Sequence, residues 1–567
     1  MRIKPEIKLY TFWVYPLLAL LLVSFFYLFF RLYQVQIIDH DQYLVQANRQ
    51  YISPDYSFNR GSIYFSNKNG DKVSAAILED GYTLAIVPAE IVDAHKTWQQ
   101  INNIIELDEL FFLTKANEKS DLYKEIIKRV PYKIGNEIFA LNLNGVRLTP
   151  VSWRTYPGDN KAAQVLGFLS YQQDILKAQY GLERYYNEIL SRQPSVKPKN
   201  IFISFFTGNV EPAEQKENGD ISLTLEPFVQ DVLEKKITEV QTKYDSELTG
   251  GIIMNPQTGE IYAMAAVPSF DPNNFASSRV DFFANPLVER VYEMGSIIKP
   301  LTVAAALDSG VVNEFSLYYD TGCQTLNNKT FCNYDGRARG TVQIQEILSQ
   351  SLNTGVSWLV SQLGRDRFRQ YFYDFGINSE TGIDLPNEAT PLVSNLQVKR
   401  DLEYAQASFG QGIAISPIQT IRALAALGNG GKLVQPHLLK EIIYTNGETK
   451  KPYYPNTQIL KQNSSDTITR MLIRVVDTAL LGGEIKHDRY TIAAKTGTAQ
   501  LAGKGGYNQD DYLHSFFGYF PATNPQFIIF LYTVKPKGVD YASHTLTYPF
   551  NDLVDYLISY YQIQPDR

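Results

Sequence analysis

The chain is poor in the side chains on which metal and redox chemistry depend. Its 567 residues include 2 cysteines and 6 histidines. The histidines are scattered, without His-Glu-x-x-His or paired-cysteine spacing, so neither a metal nor a cofactor is expected. The chain also lacks any basic block. Its 53 Lys and Arg stand against 59 Asp and Glu, a formal net charge of −6, and nucleic-acid binding is not expected. No glycine run has the length of a phosphate loop; the nearest, Gly428-Asn429-Gly430-Gly431-Lys432, leads into Leu433-Val434 rather than a helix and reads as a turn. The two cysteines, Cys323 and Cys332, flank a stretch centred on Asn327-Asn328 that has the character of a hairpin turn. In an oxidising exterior they can form a disulfide, otherwise they are two buried thiols, and the sequence leaves both readings open.

What is present first is one long uncharged run. From Leu9 to Phe30 there are 22 residues without a charge, which as a helix rising about 1.5 Å per residue cover roughly 33 Å, enough to cross a hydrocarbon core of about 30 Å. A cleaved signal peptide has a shorter apolar core followed by small residues, whereas this run continues into Arg31-Leu32-Tyr33-Gln34. An uncleaved anchor over residues 9–30 is therefore expected, with Tyr10, Trp13 and Tyr33 suited to the two interfaces. Arg2, Lys4 and Lys8 precede it. The positive-inside rule then leaves residues 1–8 in the cytoplasm and carries everything beyond Arg31 to the outer side of the cell membrane.

Residues 31–219 are expected to form one external region and residues 220–567 a second. In the first, Gln36 to Gln50 reads as a helix, Arg60-Gly61-Ser62-Ile63-Tyr64 opens a strand whose turn closes at Asn69-Gly70, and Glu106 to Arg129 reads as one or two surface helices. The polar run from Thr207 to Asp220 has linker composition. In the second region Glu226 to Lys243 has helical spacing, and Gly250 to Ala266 gives two strands around the turn Asn255 to Gly259. Further strands follow at Tyr490 to Thr498, Ser515 to Phe520 and Gln526 to Val534, before a closing helix from about Pro549 to Tyr561. Strands at both ends with helices between them predict an α/β (α+β) domain with a largely antiparallel sheet, because hairpin-length loops cannot join parallel strands.

Three short patterns in the second region carry chemistry. Ser296-Ile297-Ile298-Lys299-Pro300 precedes an apolar, Ala-rich run that Gly310 stops, so Ser296 to Ser309 reads as a helix. Proline is tolerated only in a helix's first turn, which sets the start close to Ser296 or Ile297 and puts Ser296 at the positive end of the helix dipole. Positions three apart share a face, bringing the Lys299 amine toward the Ser296 hydroxyl. A serine needs an adjacent base to attack, and a buried, neutral lysine can serve. A lone Ser-x-x-Lys is more often an ordinary helix start with a solvated lysine. Further along, Ser351-Leu352-Asn353 lies between the helical runs Val342 to Leu348 and Val356 to Leu363, where Ser351 and Asn353 can project together from the corner. Lys495-Thr496-Gly497-Thr498 ends the strand that begins at Tyr490, and a glycine there lets a ligand backbone approach closely.

Each pattern alone is weak, but the ordered set is the one shared by penicillin-binding proteins and class A β-lactamases. The chain resembles a class B penicillin-binding protein, a membrane-anchored D,D-transpeptidase that crosslinks peptidoglycan, over nearly its full length. In the first region, by resemblance a pedestal, the elements that carry it are Arg60-Gly61-x-Ile63, Arg154-x-Tyr156-Pro157 and Gly181-Leu182-Glu183. In the second, the transpeptidase domain, they include Leu223-Thr224-Leu225-Glu226, Phe270-Asp271-Pro272-Asn273, Thr381-Gly382-Ile383-Asp384-Leu385 and Phe409-Gly410-Gln411-Gly412. The chain departs from the family at Asn67-Lys68-Asn69-Gly70, behind a two-residue insertion, and at Asn255-Pro256 where Asp-Pro is usual.

The resemblance implies that Ser296 is the acylated nucleophile and Lys299 its base. Ser351 would relay a proton to the departing D-alanine, and Asn353 would hold the Lys299 amine and the substrate amide. Lys495 would help keep a proton off Lys299 and attract the substrate carboxylate, with Thr496, Gly497 and Thr498 binding it. The backbone N–H groups of Ser296 and Thr498 would form an oxyanion hole, worth about 3–4 kcal/mol per donor. The substrates would be stem peptides ending in D-Ala-D-Ala, and β-lactams would stop the enzyme at the acyl stage. From His514 onward the chain is more similar to division-specific (FtsI-type) members than to the elongation type. A polytopic polymerase of the SEDS (FtsW/RodA) type and other divisome membrane proteins are the implied partners. A hydrolytic β-lactamase shares the motifs but has no use for pedestal and anchor, and a non-catalytic divisome scaffold has no need of intact motifs.

Overall fold

The computed structural model describes residues 10–38, 59–172, 175–192, 218–503 and 506–567. The chain divides into two compact units, residues 1–58 with 80–153 and residues 59–79 with 154–567. The basic residues ahead of the anchor, most of the expected Gln36 to Gln50 helix and most of the Thr207 to Asp220 linker lie outside the described residues.

In the smaller unit the uncharged run forms a single helix, Tyr10–Tyr33, with its apolar side chains from Leu17 onward exposed. It is the one helix among the described residues long and apolar enough to cross a membrane. Residues 80–153 build a separate core from Leu84, Ile101, Phe112, Val130 and Ile138. The helices Ala94–Asn102 and Glu109–Asn117 each begin at an aspartate, Asp93 accepting from Lys96 N and Asp108 from Phe111 N, which supplies partners that the first turn lacks. The expectation of helix throughout Glu106 to Arg129 holds only for its first half. Lys124–Pro131 is a strand, with Leu84 opposite Ile127 and Ala85 opposite Glu125. Its Ile-Ile pair suits a pleated surface, and pairing with a distant segment decides what local propensity leaves open.

The larger unit is centred on a five-stranded, wholly antiparallel sheet in the order Ala493–Gly503, Gly506–Phe520, Phe527–Val534, Leu248–Met254, Ile261–Val267. Helices cover both faces. On one side the helices Pro227–Tyr244 and Thr547–Tyr561 pack Leu233, Ile237, Leu553 and Leu557 against Ile253, Ile529 and Phe516. On the other, Ile297 and Leu301 of the Ser296 segment join Ile252, Phe517 and Phe530. This two-sided burial explains why Phe527–Val534 is apolar almost without alternation and buried at every position. Helix Pro227–Tyr244 is set by local chemistry: Pro227 opens it, and Glu226 accepts from Phe228 N and Val229 N at 2.8 and 2.7 Å.

A second sheet in this unit begins with Ile63–Ser66, antiparallel to the strand that starts at Lys72 and parallel to Gly219–Leu223, with Ile63 opposite Ile221. The position expected to divide the two external regions, 219 to 220, therefore lies inside a strand of the larger unit. The pedestal-like motifs meet here. Glu183, wholly buried, receives Arg60 Nε and Arg154 Nε at 2.6 Å each, Arg154 Nη1 donates to Gly61 O, and Tyr156 OH donates to Glu183. Burial alone would raise the Glu183 pKa, but the Arg154 and Arg60 guanidiniums outweigh it and hold the carboxyl below its usual range.

Two shorter expectations change. Val342 belongs to the strand Gly340–Gln343, paired with Leu317–Asp320, and the helix begins only at Gln345. Lys495-Thr496-Gly497-Thr498 lies inside the strand Ala493–Gly503 rather than at its end. The cysteines form a disulfide across the hairpin Cys323–Leu326 and Lys329–Cys332, whose turn residues Asn327 and Asn328 have φ of 50° and 62°, the left-handed pair such a turn needs.

Candidate active site

The turn Gly295–Ile298 runs into the helix Lys299–Asp308, with Pro300 in its first turn. Ser296 thus lies at the helix start that Pro300 predicts. No side chain caps this end. Close backbone packing fixes the turn. Gly295 N donates to Gly410 O at 3.2 Å, both glycines have positive φ, and a Cβ on Gly410 would collide with the Gly295 backbone. Ser515 Oγ donates to Met294 O at 2.9 Å from the neighbouring strand, beneath Gly497. A Cβ on Gly497 would overlap Ser515 Oγ and stand 2.8 Å from Met294 O.

Lys299 and Lys495 both point into the protein, at 0 % and 4 % exposure, and neither forms an ion pair among the described residues. Ser351 joins them. Lys299 Nζ donates to Ser351 O at 2.6 Å and to Ser351 Oγ at 3.1 Å, and Lys495 Nζ donates to the same Oγ at 3.2 Å and to Thr496 O at 3.0 Å. To present both oxygens Ser351 adopts φ 54°, a conformation costing a non-glycine residue about 1–3 kcal/mol. Burial, and then the Lys495 charge, drive the Lys299 pKa far below the usual lysine range. Burial brings Lys495 down to about 8. Of the two, Lys299 is therefore the readier to lose its proton, since the Lys495 charge adds to the burial that both share.

Ser296, Ser351, Asn353, Lys495, Thr496 and Thr498 open onto one cleft of about 850 Å³. The Lys-Thr-Gly-Thr strand is the sheet's outer strand, so one side of its backbone has no neighbouring strand of that sheet and can pair with an extended peptide. Two expected contacts are absent. No hydrogen bond joins Ser296 Oγ to Lys299, leaving the hydroxyl unbonded to protein among the described residues. The Asn353 amide does not reach Lys299 but donates to Cys332 O at 2.8 Å, tying the site to the disulfide hairpin. The Ser351 carbonyl takes the place next to Lys299 that Asn353 was expected to hold. Thr498 Oγ1 accepts from Ala542 N at 3.1 Å.

Sequence reasoning missed most of the cleft walls. Tyr334, Leu480, Leu481, Tyr512 and the segment Asp540 to Ser543 line it, and none belongs to a recognisable pattern. Phe409-Gly410-Gln411-Gly412 did carry a signal, and Phe409 and Gln411 line the cleft.

Residues 249–555 match the family model of the penicillin binding protein transpeptidase domain. Stage V sporulation protein D of Bacillus subtilis is 30% identical over 507 residues, covering 86% of this chain and 76% of its own length. Peptidoglycan D,D-transpeptidase FtsI of Escherichia coli K12 is 25% identical over 541 residues, covering 91% and 89%. The crystal structure of Penicillin Binding Protein 2X from Streptococcus thermophilus superposes with a TM-score of 0.73 at 19% identity, over 89% of this chain and 79% of that one. With the family match spanning more than half of its length and these relatives covering most of it, the chain belongs to the class B penicillin-binding protein transpeptidases.

Proposed function

We propose that the protein is a peptidoglycan D,D-transpeptidase in which Ser296 attacks the last peptide bond of a stem peptide ending in D-Ala-D-Ala. D-Alanine leaves, and an amine of a neighbouring stem peptide resolves the acyl-enzyme. The observation that carries this reading is Ser351 Oγ between two buried lysine amines, at 3.1 and 3.2 Å, on the cleft that Ser296 opens into. A neutral Lys299 has a lone pair for the Ser296 proton. Ser351, bonded to both amines, then passes a proton to the departing nitrogen. The remaining charge on Lys495 attracts the substrate carboxylate, which Thr496, Gly497 and Thr498 bind. The N–H groups of Ser296 and Thr498 stabilise the developing oxyanion, each worth about 3–4 kcal/mol. Asn353, braced on the Cys332 carbonyl, presents its amide to the substrate backbone. A β-lactam imitates the dipeptide and stops at the acyl stage.

In this reading residues 9–30 hold the protein in the cell membrane with residues 1–8 cytoplasmic, residues 31–219 serve as a pedestal, and residues 220–567 carry catalysis outside. Relatives named FtsI support a role in septal wall synthesis beside a SEDS-type glycan polymerase. The Bacillus subtilis relative, named for sporulation, favours a sporulation role as the second reading. The test is the full chain in detergent with a synthetic stem pentapeptide and an amine acceptor. D-Alanine release with a crosslinked product, both lost in Ser296→Ala, is expected. Release of D-alanine without any crosslinked product would make the enzyme a carboxypeptidase instead.

A further inference from the structure

The proposed reaction brings a cation into the cleft after D-alanine has left, because an acceptor amine is protonated at neutral pH. Among the described residues lining the cleft, only Lys495 and Asp540 carry formal charge. Asp540 is exposed and forms no salt bridge among the described residues, and its nearest titratable neighbour is the buried His514 ring, which bonds the Asp540 backbone and feels its charge. The position of Asp540 is nevertheless fixed. Two residues on, Ala542 N donates to Thr498 Oγ1 at 3.1 Å, Thr545 Oγ1 donates to Ala542 O at 3.1 Å, and the buried His514 ring bonds Thr545 Oγ1 at 3.1 Å. The segment bearing Asp540 is thus docked on the strand proposed to bind the substrate carboxylate. Tyr541 lines the same wall and meets the Tyr334 ring edge-on, with centroids 6.3 Å apart. Arg339 sits over Tyr334 at 5.9 Å, but both of its Nη atoms are held by Asp335.

Leaving group and entering amine use the same side of the ester carbonyl, since each is expelled from or added to the same tetrahedral centre. That side is where Thr498 would receive the D-alanine carboxylate. A carboxylate on that wall favours an ammonium there. We infer that Asp540 is a specificity-determining residue that draws the cationic acceptor amine into the cleft once D-alanine has departed. This rests on the transpeptidase reading above. Asp540 takes no proton in the step. The ammonium releases one proton to solvent and the free amine attacks the acyl carbon. The C–N bond forms, the C–Oγ bond to Ser296 breaks, and the second amine proton reaches Ser296 Oγ through Lys299.

The experiment uses the full chain in detergent, a thioester donor whose acylation is read by thiol release, and a stem-tripeptide amide with one free amine as acceptor. The ratio of aminolysis to hydrolysis is followed as the acceptor is raised. In Asp540→Asn that ratio should fall about fivefold at subsaturating acceptor, as for loss of one exposed ion pair, while thiol release changes by less than about twofold. Asp540→Glu should retain most of the ratio. Raising salt from about 0.05 to 0.5 M should lower the ratio in wild type and leave the Asn variant nearly unchanged. An unchanged ratio in Asp540→Asn would overturn the assignment. So would acylation and ratio falling together without recovery in Asp540→Glu, the mark of a merely structural wall. A wild type that forms no acyl-enzyme would remove the transpeptidase reading itself, and Asp540's role with it.

Discussion

Replacing Lys495 by arginine separates charge from proton at the one position where both are in play. Burial places the Lys495 ammonium at about 8, so most of its charge is present at neutral pH and is lost as pH rises through that value. If the charge recruits the substrate carboxylate, the second-order acylation rate must fall on the alkaline side with the free enzyme's Lys495 titration. One pH unit above the midpoint the protonated fraction is about one-eleventh, so the rate at about pH 9 should be about tenfold below its maximum. Lys299 behaves oppositely. Only its neutral form accepts the Ser296 proton, and burial together with Lys495 keeps that form populated well below the usual lysine range, so Lys299 sets the acid limb. Arginine stays charged throughout. Lys495→Arg should therefore lose the alkaline limb whatever its absolute rate, while the acid limb remains. The assay is acylation by a slow, non-titrating β-lactam from about pH 6 to 10. An alkaline fall of equal size in Lys495→Arg would refute the reasoning, because another group would then own it.

Lys299→Arg should lose acylation almost entirely at every pH, since a permanently charged side chain cannot accept the Ser296 proton; comparable rates to wild type would move the base elsewhere. Glu183→Gln should destabilise the folded chain by about 3–5 kcal/mol, read as a lower thermal midpoint, because it strands two buried guanidiniums. The depressed Glu183 pKa means its contribution is fully present above the unfolded carboxylate value and fades as pH falls through the lower folded one. The melting gap between wild type and variant should accordingly close in acid. Gly497→Ala forces a methyl against Ser515 Oγ and Met294 O, costing about 1–3 kcal/mol of stability and most of the acylation rate. Ser515→Ala added to it should restore part of the stability.

The elements with local causes were legible before any coordinates. Pro300 marks the start of the Ser296 helix, Glu226 with Pro227 opens the helix that backs the sheet, and Asn327-Asn328 announces the hairpin turn, though not whether its two cysteines are bridged. What escaped depends on contacts between distant segments. Lys124–Pro131 is a strand because of its partner at Leu84 to Ile86, not because of its own composition. The pedestal motifs could be quoted one by one, yet their convergence on Glu183 joins residues 123 positions apart. In the cleft the lysines and Ser351 could be named, but not the bond from Lys299 to the Ser351 carbonyl or that from Asn353 to Cys332, since backbone acceptors leave no mark in a motif. Asp540 and Tyr541 lie in a connecting segment without periodicity, and contacts with distant residues, such as Ala542 on Thr498 and Tyr541 on Tyr334, hold them at the site.

The central claim is that Ser296 is the nucleophile, and locating the acyl group tests it most directly. Intact protein treated with a penicillin, digested and analysed by mass spectrometry should carry one penicilloyl group on the peptide containing Ser296. Ser296→Ala should carry none while keeping its melting temperature, because only the attacking oxygen is removed. Stoichiometric adduct in that variant, mapped to Ser351 or another serine, would contradict the account.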